Sequence, residues 1–121
     1  MDVIISDSAD KPIYQQLFDQ ISSQILKGEL KAGFALPSIR GAAKELRVSV
    51  ITVKKAWEEL ERNGFIYTKV GKGCFVANLT SKELNKMKKD IIEEKMSKDL
   101  NYYKKLGMEV EEVIKLVKKL Y

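Results

Sequence analysis

The chain of 121 residues contains no histidine, one cysteine and two prolines. Without histidine it lacks the commonest general base and the commonest transition-metal ligand, so we expect no enzyme, no metal centre and no cofactor. The lone cysteine, Cys74, cannot form an intrachain disulfide, which favours a reducing compartment. No apolar run reaches the length that a membrane-spanning helix needs. These absences predict a soluble, cytoplasmic binding protein without a membrane partner.

The charge of the chain is net positive and unevenly placed. There are 22 basic and 17 acidic residues, which give a formal net charge of +5. Between Ile39 and Ala56 the single acidic residue is Glu45. Basic residues recur through this segment and beyond it; they are Arg40, Lys44, Arg47, Lys54, Lys55, Lys69 and Lys72. This asymmetry predicts a basic face that binds a polyanion.

Residues 36–64 show the pattern of two helices joined by a tight turn. Pro37 holds the residue before it extended, and Ser38 is a good N-cap for a first helix. Ser49 is a second good N-cap, and Asn63-Gly64 ends the second helix. Apolar residues recur at helical spacing in both segments; they are Ile39, Ala42, Ala43 and Leu46, then Val53, Ala56, Trp57 and Leu60. The spacing predicts a helix-turn-helix.

The outward face of the second helix and the segment after it predict contact with DNA. The first turns of a recognition helix meet base edges and phosphates; here they carry Val50, Ile51, Thr52, Lys54 and Lys55. Residues 65–70 and 74–77 are β-prone runs joined by Gly71-Lys72-Gly73, which predicts a hairpin with Lys72 at its tip. A helix-turn-helix followed by a basic hairpin is a winged helix.

The N-terminal part predicts a buried helix preceded by a polar arm. The helix extends from about Lys11 to Lys27, with Pro12 near its start and Gly28 just past its end. Its apolar stripe consists of Ile13, Leu17, Ile21 and Ile25. Within the arm, Val3-Ile4-Ile5 favours a short strand.

Residues 78–121 predict two amphipathic helices separated at Gly107. Such helices cannot bury their apolar faces alone, so they must pack on each other, on the winged domain or on a second copy. Because a small DNA reader gains affinity from two half-sites, we favour a homodimer formed by this tail. The alternative is a helical hairpin packed on its own domain in a monomer. The expected dimer contacts are Leu84, Met87, Ile91, Met96, Tyr103, Val110, Val113, Ile114 and Val117.

Residues 12–77 resemble the DNA-binding domain of GntR-family bacterial transcription regulators. The motifs that carry the resemblance include Pro12-Ile13-Tyr14-Gln15-Gln16-Leu17, Leu36-Pro37-Ser38-Ile39-Arg40 and Gly71-Lys72-Gly73-Cys74-Phe75-Val76. The tail, with Leu106-Gly107 and Glu111-Glu112-Val113-Ile114, is similar to the small YtrA-like branch of that family.

The resemblance implies DNA contacts at Arg40, at Thr52 and Lys54 on the recognition helix, and at the wing tip. The wing tip, Gly71 and Lys72, enters the minor groove in such proteins. Many relatives place an arginine or asparagine at position 50. Val50 and its neighbour Ile51 cannot make a bidentate contact to a base, but they can pack on a thymine methyl group.

Together these observations predict an α+β, mostly helical fold with an arm (1–11), a winged helix-turn-helix (12–77) and a two-helix dimerisation tail (78–121). The predicted function is a transcription regulator, a repressor that binds a palindromic operator in double-stranded DNA as a homodimer. The expected DNA-binding residues are Ser38, Arg40, Ser49, Val50, Ile51, Thr52, Lys54, Lys55, Gly71, Lys72 and Gly73. The alternative is a winged-helix adaptor that binds another protein and has no specific DNA target. A small-molecule effector stays open, and no residue identifies one.

Overall fold

The elements of the chain follow the predicted order. The computed structural model describes residues 1–8 and 10–121, so the predicted arm includes one residue, Ala9, that lies outside the described residues. The helices and strands are α1 (Ile13–Leu26), α2 (Ile39–Leu46), α3 (Val50–Arg62), β1 (Ile66–Lys69), β2 (Gly73–Val76), α4 (Ser81–Lys105) and α5 (Val110–Leu120). They divide into two units, Met1–Thr80 and Ser81–Tyr121. The predicted α+β, mostly helical class with an N-terminal winged helix is confirmed.

The helix ends of the first unit follow local capping chemistry. Ser38 Oγ accepts the amide N–H of Gly41 at 3.0 Å and so starts α2. The helix α1 begins at Ile13 rather than near Lys11, because Pro12 is its N-cap. Arg47 ends α2 with a left-handed φ of +57°. This conformation costs a non-glycine residue roughly 1–2 kcal/mol, and here it makes the tight turn between α2 and α3.

The core of the first unit lies between α1 and α3, and α2 packs on α3 beside it. Phe65, just after α3, is fully buried, and its ring meets Phe18 edge-on with centroids 6.0 Å apart. The predicted apolar stripes supply most of the core; their buried members are Leu17, Ile21 and Ile25, then Ala42 and Ala43, then Val53, Ala56, Trp57 and Leu60. Because each large buried side chain contributes about 1.5–3 kcal/mol, this packing fixes which side of α3 stays exposed.

The strands β1 and β2 form the predicted hairpin. They are antiparallel, with Ile66 opposite Val76 and Lys69 opposite Gly73. The loop between them spans residues 70–72 and is closed by the N–H of Lys72, which donates to the carbonyl of Lys69 at 2.9 Å. Gly71 and Gly73 have φ angles of +77° and +113°. Glycine adopts these angles without steric strain, which explains the glycines that flank the lysine.

Residues 33–36 pair with β2 as a third extended segment, which the sequence did not predict. The N–H of Gly33 donates to the carbonyl of Val76 at 2.8 Å, and the N–H of Val76 donates to the carbonyl of Phe34 at 2.9 Å. The N–H of Leu36 donates to the carbonyl of Cys74 at 2.9 Å. These bonds tie the chain just before α2 to the hairpin.

The arm does not form the short strand that Val3-Ile4-Ile5 favours, and that prediction is wrong. Its backbone is bound instead by three glutamine side chains of α1, which we call the glutamine ladder. The pairs are Gln16 with Ser6, Gln20 with Ile4 and Gln24 with Asp2, at 2.6 to 2.9 Å. Four residues advance a helix by about 6.0 Å and two residues advance an extended chain by about 6.6 Å, so the two repeats match.

The second unit consists of α4 and α5, and none of their residues, all of which the structure describes, is buried. Gly107, with a φ of +84°, follows α4 as predicted. Ion pairs one turn apart line the surface of α4, including Lys86 with Asp90 at 2.9 Å. The two helices do not pack along each other, so their apolar faces stay open. Among the described helices, none combines the length and the apolar character of a membrane span.

Candidate nucleic-acid interface

The N-terminal half of α3 exposes apolar and basic side chains together. Ile51 is 79% exposed and Val50 is 43% exposed. Lys54 and Lys55 are exposed as well, and Thr52 is half-buried. Val50 and Ile51 are adjacent β-branched side chains at an exposed helix end, and a partner that covers them would remove their apolar surface from water. This end of α3 therefore has the shape and charge of a contact surface.

Ser49 fixes the start of α3. Its Oγ accepts the amide N–H of Thr52 at 3.1 Å and lies 2.7 Å from the hydroxyl oxygen of the same threonine. The predicted N-cap role of Ser49 is thus confirmed. The partial positive charge at a helix N-terminus favours an anion, which suits this end of α3 to a phosphate group.

Trp57 joins α3 to the beginning of α2. Its ring is buried, and its Nε1–H donates to the carbonyl of Pro37 at 3.3 Å. Pro37 immediately precedes the cap Ser38, and Arg40 is exposed in the first turn of α2. The sequence placed Trp57 in the core, but it gave no indication of this hydrogen bond. The bond ties the helix that carries Arg40 to the recognition helix.

Lys55 has a partner within the chain that the sequence pattern does not indicate. Its Nζ lies 3.9 Å from the centroid of the Tyr14 ring, in the first turn of α1. An exposed cation–π contact of this kind contributes about 0.5–1 kcal/mol. The motif Pro12-Ile13-Tyr14 carries part of the family resemblance, and nothing in its spacing indicates a contact with position 55.

The wing tip is exposed from Lys69 to Gly73, so Lys72 stands in solvent as predicted. Next to the tip, near the end of β1, the Thr68 hydroxyl donates to the two carboxylate oxygens of Glu61 at 2.9 and 3.0 Å. This contact fastens the hairpin to the last turn of α3. The sequence does not indicate this contact, because Glu61 and Thr68 belong to different elements, α3 and β1.

The residues predicted for dimerisation all lie in the second unit. Half-buried members are Leu84, Met87, Ile91 and Val113, and exposed members are Met96, Tyr103, Val110, Ile114 and Val117. Their apolar surface has no cover within that unit. Across the described residues no cluster of three or more Cys, Asp or Glu side chains is placed to hold a metal ion.

These features define the class of the first unit. A helix-turn-helix with an exposed, basic recognition helix, followed directly by a basic hairpin, is a winged helix-turn-helix DNA-binding domain. Residues 13–76 match the family described as bacterial regulatory proteins, gntR family. The chain belongs to the gntR family, whose members are transcription regulators rather than enzymes, and the resemblance seen in the sequence is confirmed.

Individual relatives extend the match over both units. The chain is 33% identical over 119 residues to the HTH-type transcriptional repressor YtrA of Bacillus subtilis, covering 96% of this chain and 89% of the relative. A GntR family transcriptional regulator from Listeria monocytogenes superimposes with a TM-score of 0.72 at 33% identity, covering 95% of this chain and 98% of that one. The AraR DNA-binding domain in complex with operator ORX1 gives 0.55 at 29% identity, covering 64% and 96%.

The cap of the recognition helix yields a stability prediction. Replacing Ser49→Ala removes the acceptor for the Thr52 amide, so the free energy of unfolding should fall by about 1 kcal/mol, measured by urea denaturation. The matched control is Ser97→Ala in the exposed middle of α4, which should be neutral or slightly stabilising because alanine is the better helix former. Equal effects of the two substitutions would contradict a capping role for Ser49.

Proposed function

We propose that this chain is a repressor that binds a palindromic operator as a homodimer. In this proposal α3 lies in the major groove and the wing reaches the adjacent minor groove. The observation that carries it is the exposed N-terminal half of α3, which carries Val50, Ile51 and Lys54 outward while the rest of the helix is locked in the core. The operator named in the AraR complex and the repressor name of YtrA support it.

Each predicted DNA-binding residue has a role in this docking. Phosphates are bound by the basic residues and by the helix starts, and the glycines let the wing tip approach the groove closely. The phosphate contacts are Arg40, Lys54, Lys55 and Lys72, with Ser38, Ser49 and Thr52 at the helix starts and Gly71 and Gly73 in the wing. Val50 and Ile51 read the thymine methyl group, since they offer no hydrogen bond to a base edge.

The tail supplies the two-fold pairing in this proposal. On α5 the apolar residues recur at helical spacing and acidic and basic residues take the remaining positions. Val110 is 60% exposed, Val117 50% and Ile114 47%, which is more apolar surface than a helix of this length leaves in water without a partner. A second copy of the same surface covers it isologously, and two joined domains match the two halves of a palindrome.

The proposed docking yields a prediction about the salt dependence of DNA binding. In the triple variant Arg40→Ala/Lys54→Ala/Lys72→Ala, three phosphate contacts are lost. The negative slope of log affinity against log salt should therefore become shallower by about 0.9 for each contact. Binding is measured by fluorescence anisotropy on a duplex selected from a random DNA pool. The charge-matched control is Lys86→Ala/Lys98→Ala/Lys115→Ala in the second unit, which should keep the parent slope.

This docking would be refuted if the affinity of the parent protein for the duplex did not depend on salt, or if the triple variant bound the duplex as tightly as the parent. That result would favour the adaptor function, in which the winged helix binds another protein instead of DNA.

A second prediction concerns the thymine methyl groups. Replacing the contacted thymine by uracil should weaken binding by about 1 kcal/mol, or roughly fivefold. In the variant Val50→Ala/Ile51→Ala the same replacement should have little further effect, because the side chains that cover the methyl group are gone. The measurement is a set of titrations with each thymine replaced in turn. If no thymine is sensitive in the parent protein, these two residues do not read the sequence.

A third prediction concerns the tail. The double variant Val113→Lys/Val117→Lys places charges on the apolar face of α5 and should sediment as a monomer. Its affinity for the full palindrome should fall by about 10²–10⁴, since the second half-site is no longer held at high effective concentration. The control Val113→Leu/Val117→Leu keeps the face apolar and should stay dimeric. A lysine variant that still sediments as a dimer would show that the tail does not make the pair.

A further inference from the structure

The outer edge of the arm is a set of backbone groups without partners. The glutamine ladder binds the backbone of Asp2, Ile4 and Ser6. Since backbone groups alternate between the two edges of an extended chain, those of Val3 and Ile5 point to the opposite edge. Neither Val3 nor Ile5 has a backbone hydrogen bond to any described residue. The ladder therefore holds the arm extended with one edge open.

A second open edge lies in the segment that pairs with β2. The amide of Leu36 and the carbonyl of Phe34 bond to β2, and Ala35 lies opposite Phe75 between these bonds. In an antiparallel pair of this kind, the backbone groups of the middle residue point away from the neighbouring strand. Ala35 accordingly directs its N–H and its carbonyl away from the hairpin, and neither has a partner among the described residues.

The two open edges border one groove. Its volume is about 600 Å³, which lies in the size range of ligand clefts. The lining residues are Met1, Asp2, Val3, Ile4, Phe34, Ala35, Pro37, Ala42, Glu45 and Leu46. Most of these residues are apolar by type, while their polar and apolar atoms contribute comparable amounts of exposed surface. The charged groups are the exposed side chains of Asp2 and Glu45 and the α-ammonium group of Met1. Ile4 is 82% exposed, so the groove has an apolar rim that nothing in the unit covers.

We propose that this groove binds an extended peptide segment of a partner protein, in which apolar residues alternate with lysine or arginine. The peptide adds a strand along the arm, and its main chain bonds to the open backbone groups of Val3. Main-chain bonds to a sheet edge give affinity, and pockets for alternate side chains give specificity. The apolar side chains meet Phe34 and Leu46, and the basic ones meet Asp2 and Glu45.

The acidic lining decides among the occupants of the groove. The two carboxylates of Asp2 and Glu45 outnumber the single α-ammonium group of Met1, so the groove disfavours a phosphate backbone and differs in charge from the basic surface of α3 and the wing. The arm of a second copy is also disfavoured, because it brings the same acidic residues, Asp2, Asp7 and Asp10, to the groove. A basic extended segment satisfies both the charges and the open backbone groups.

The probe is a fluorescein-labelled peptide of five residues, lysine and valine in alternation, titrated against the full chain by anisotropy. It should bind at least about tenfold more tightly than the same peptide with glutamate in place of lysine. In the variant Asp2→Asn/Glu45→Gln that difference should disappear. The charge-matched control, Glu58→Gln/Glu93→Gln, removes two acidic residues elsewhere and should keep it.

The open edge is tested by Val3→Pro, which deletes an unpaired amide and leaves the amides of the ladder in place. Affinity for the lysine–valine peptide should fall by roughly three- to tenfold. Binding to the selected DNA duplex should be unchanged, so that loss of the winged helix is distinguished from loss of the groove. The proposal is overturned if the peptide does not bind, if Val3→Pro keeps the parent affinity for it, if the Asp2→Asn/Glu45→Gln variant keeps the preference for lysine, or if arm substitutions change the oligomeric state instead.

Discussion

The burial of one face of α3 is the constraint on which the rest of the first unit depends. Each residue turns a helix by about 100°, so once Val53, Ala56 and Leu60 are in the core, the direction of every other side chain on α3 is set. Val50, Ile51 and Lys54 point outward for this reason. Trp57 adds a directional bond to the same packing, because its indole N–H reaches Pro37. The packing of the core therefore determines which side chains of α3 the candidate interface exposes.

The wing depends on the same helix through polar contacts. Phe65 anchors the chain beneath β1, and the Glu61–Thr68 contact fastens the hairpin to the end of α3. The segment before α2 bonds to the other strand, so the hairpin is held from both sides. A lysine at the tip of a hairpin fixed in this way loses less conformational freedom on binding than one on a free loop.

What the sequence predicted well was local. The caps at Ser38 and Ser49 and the glycine turn at the wing depend on neighbours within a few residues, and their chemistry is legible in the chain. The missed features join distant positions. Residues 33–36 include a glycine and an alanine, which are depleted in strands, and form no alternating run, so their pairing with β2 arises from the fold. The glutamine ladder and the contact of Lys55 with Tyr14 likewise need helices to be placed first. Of the interface, the exposed cations were predictable, whereas their partners within the chain were not.

The shortness of α5 has a thermodynamic consequence. A helix of 11 residues is only marginally stable in water by itself, and α5 contains no buried residue to support it. In the proposed homodimer the second copy covers this apolar face, so the folding and the association of α5 would be a single linked equilibrium. The helical fraction of the tail would then rise with protein concentration. A regulator paired in this way would respond to its own abundance more steeply than a rigid dimer, because dilution would remove both the partner and the structure that the partner contacts.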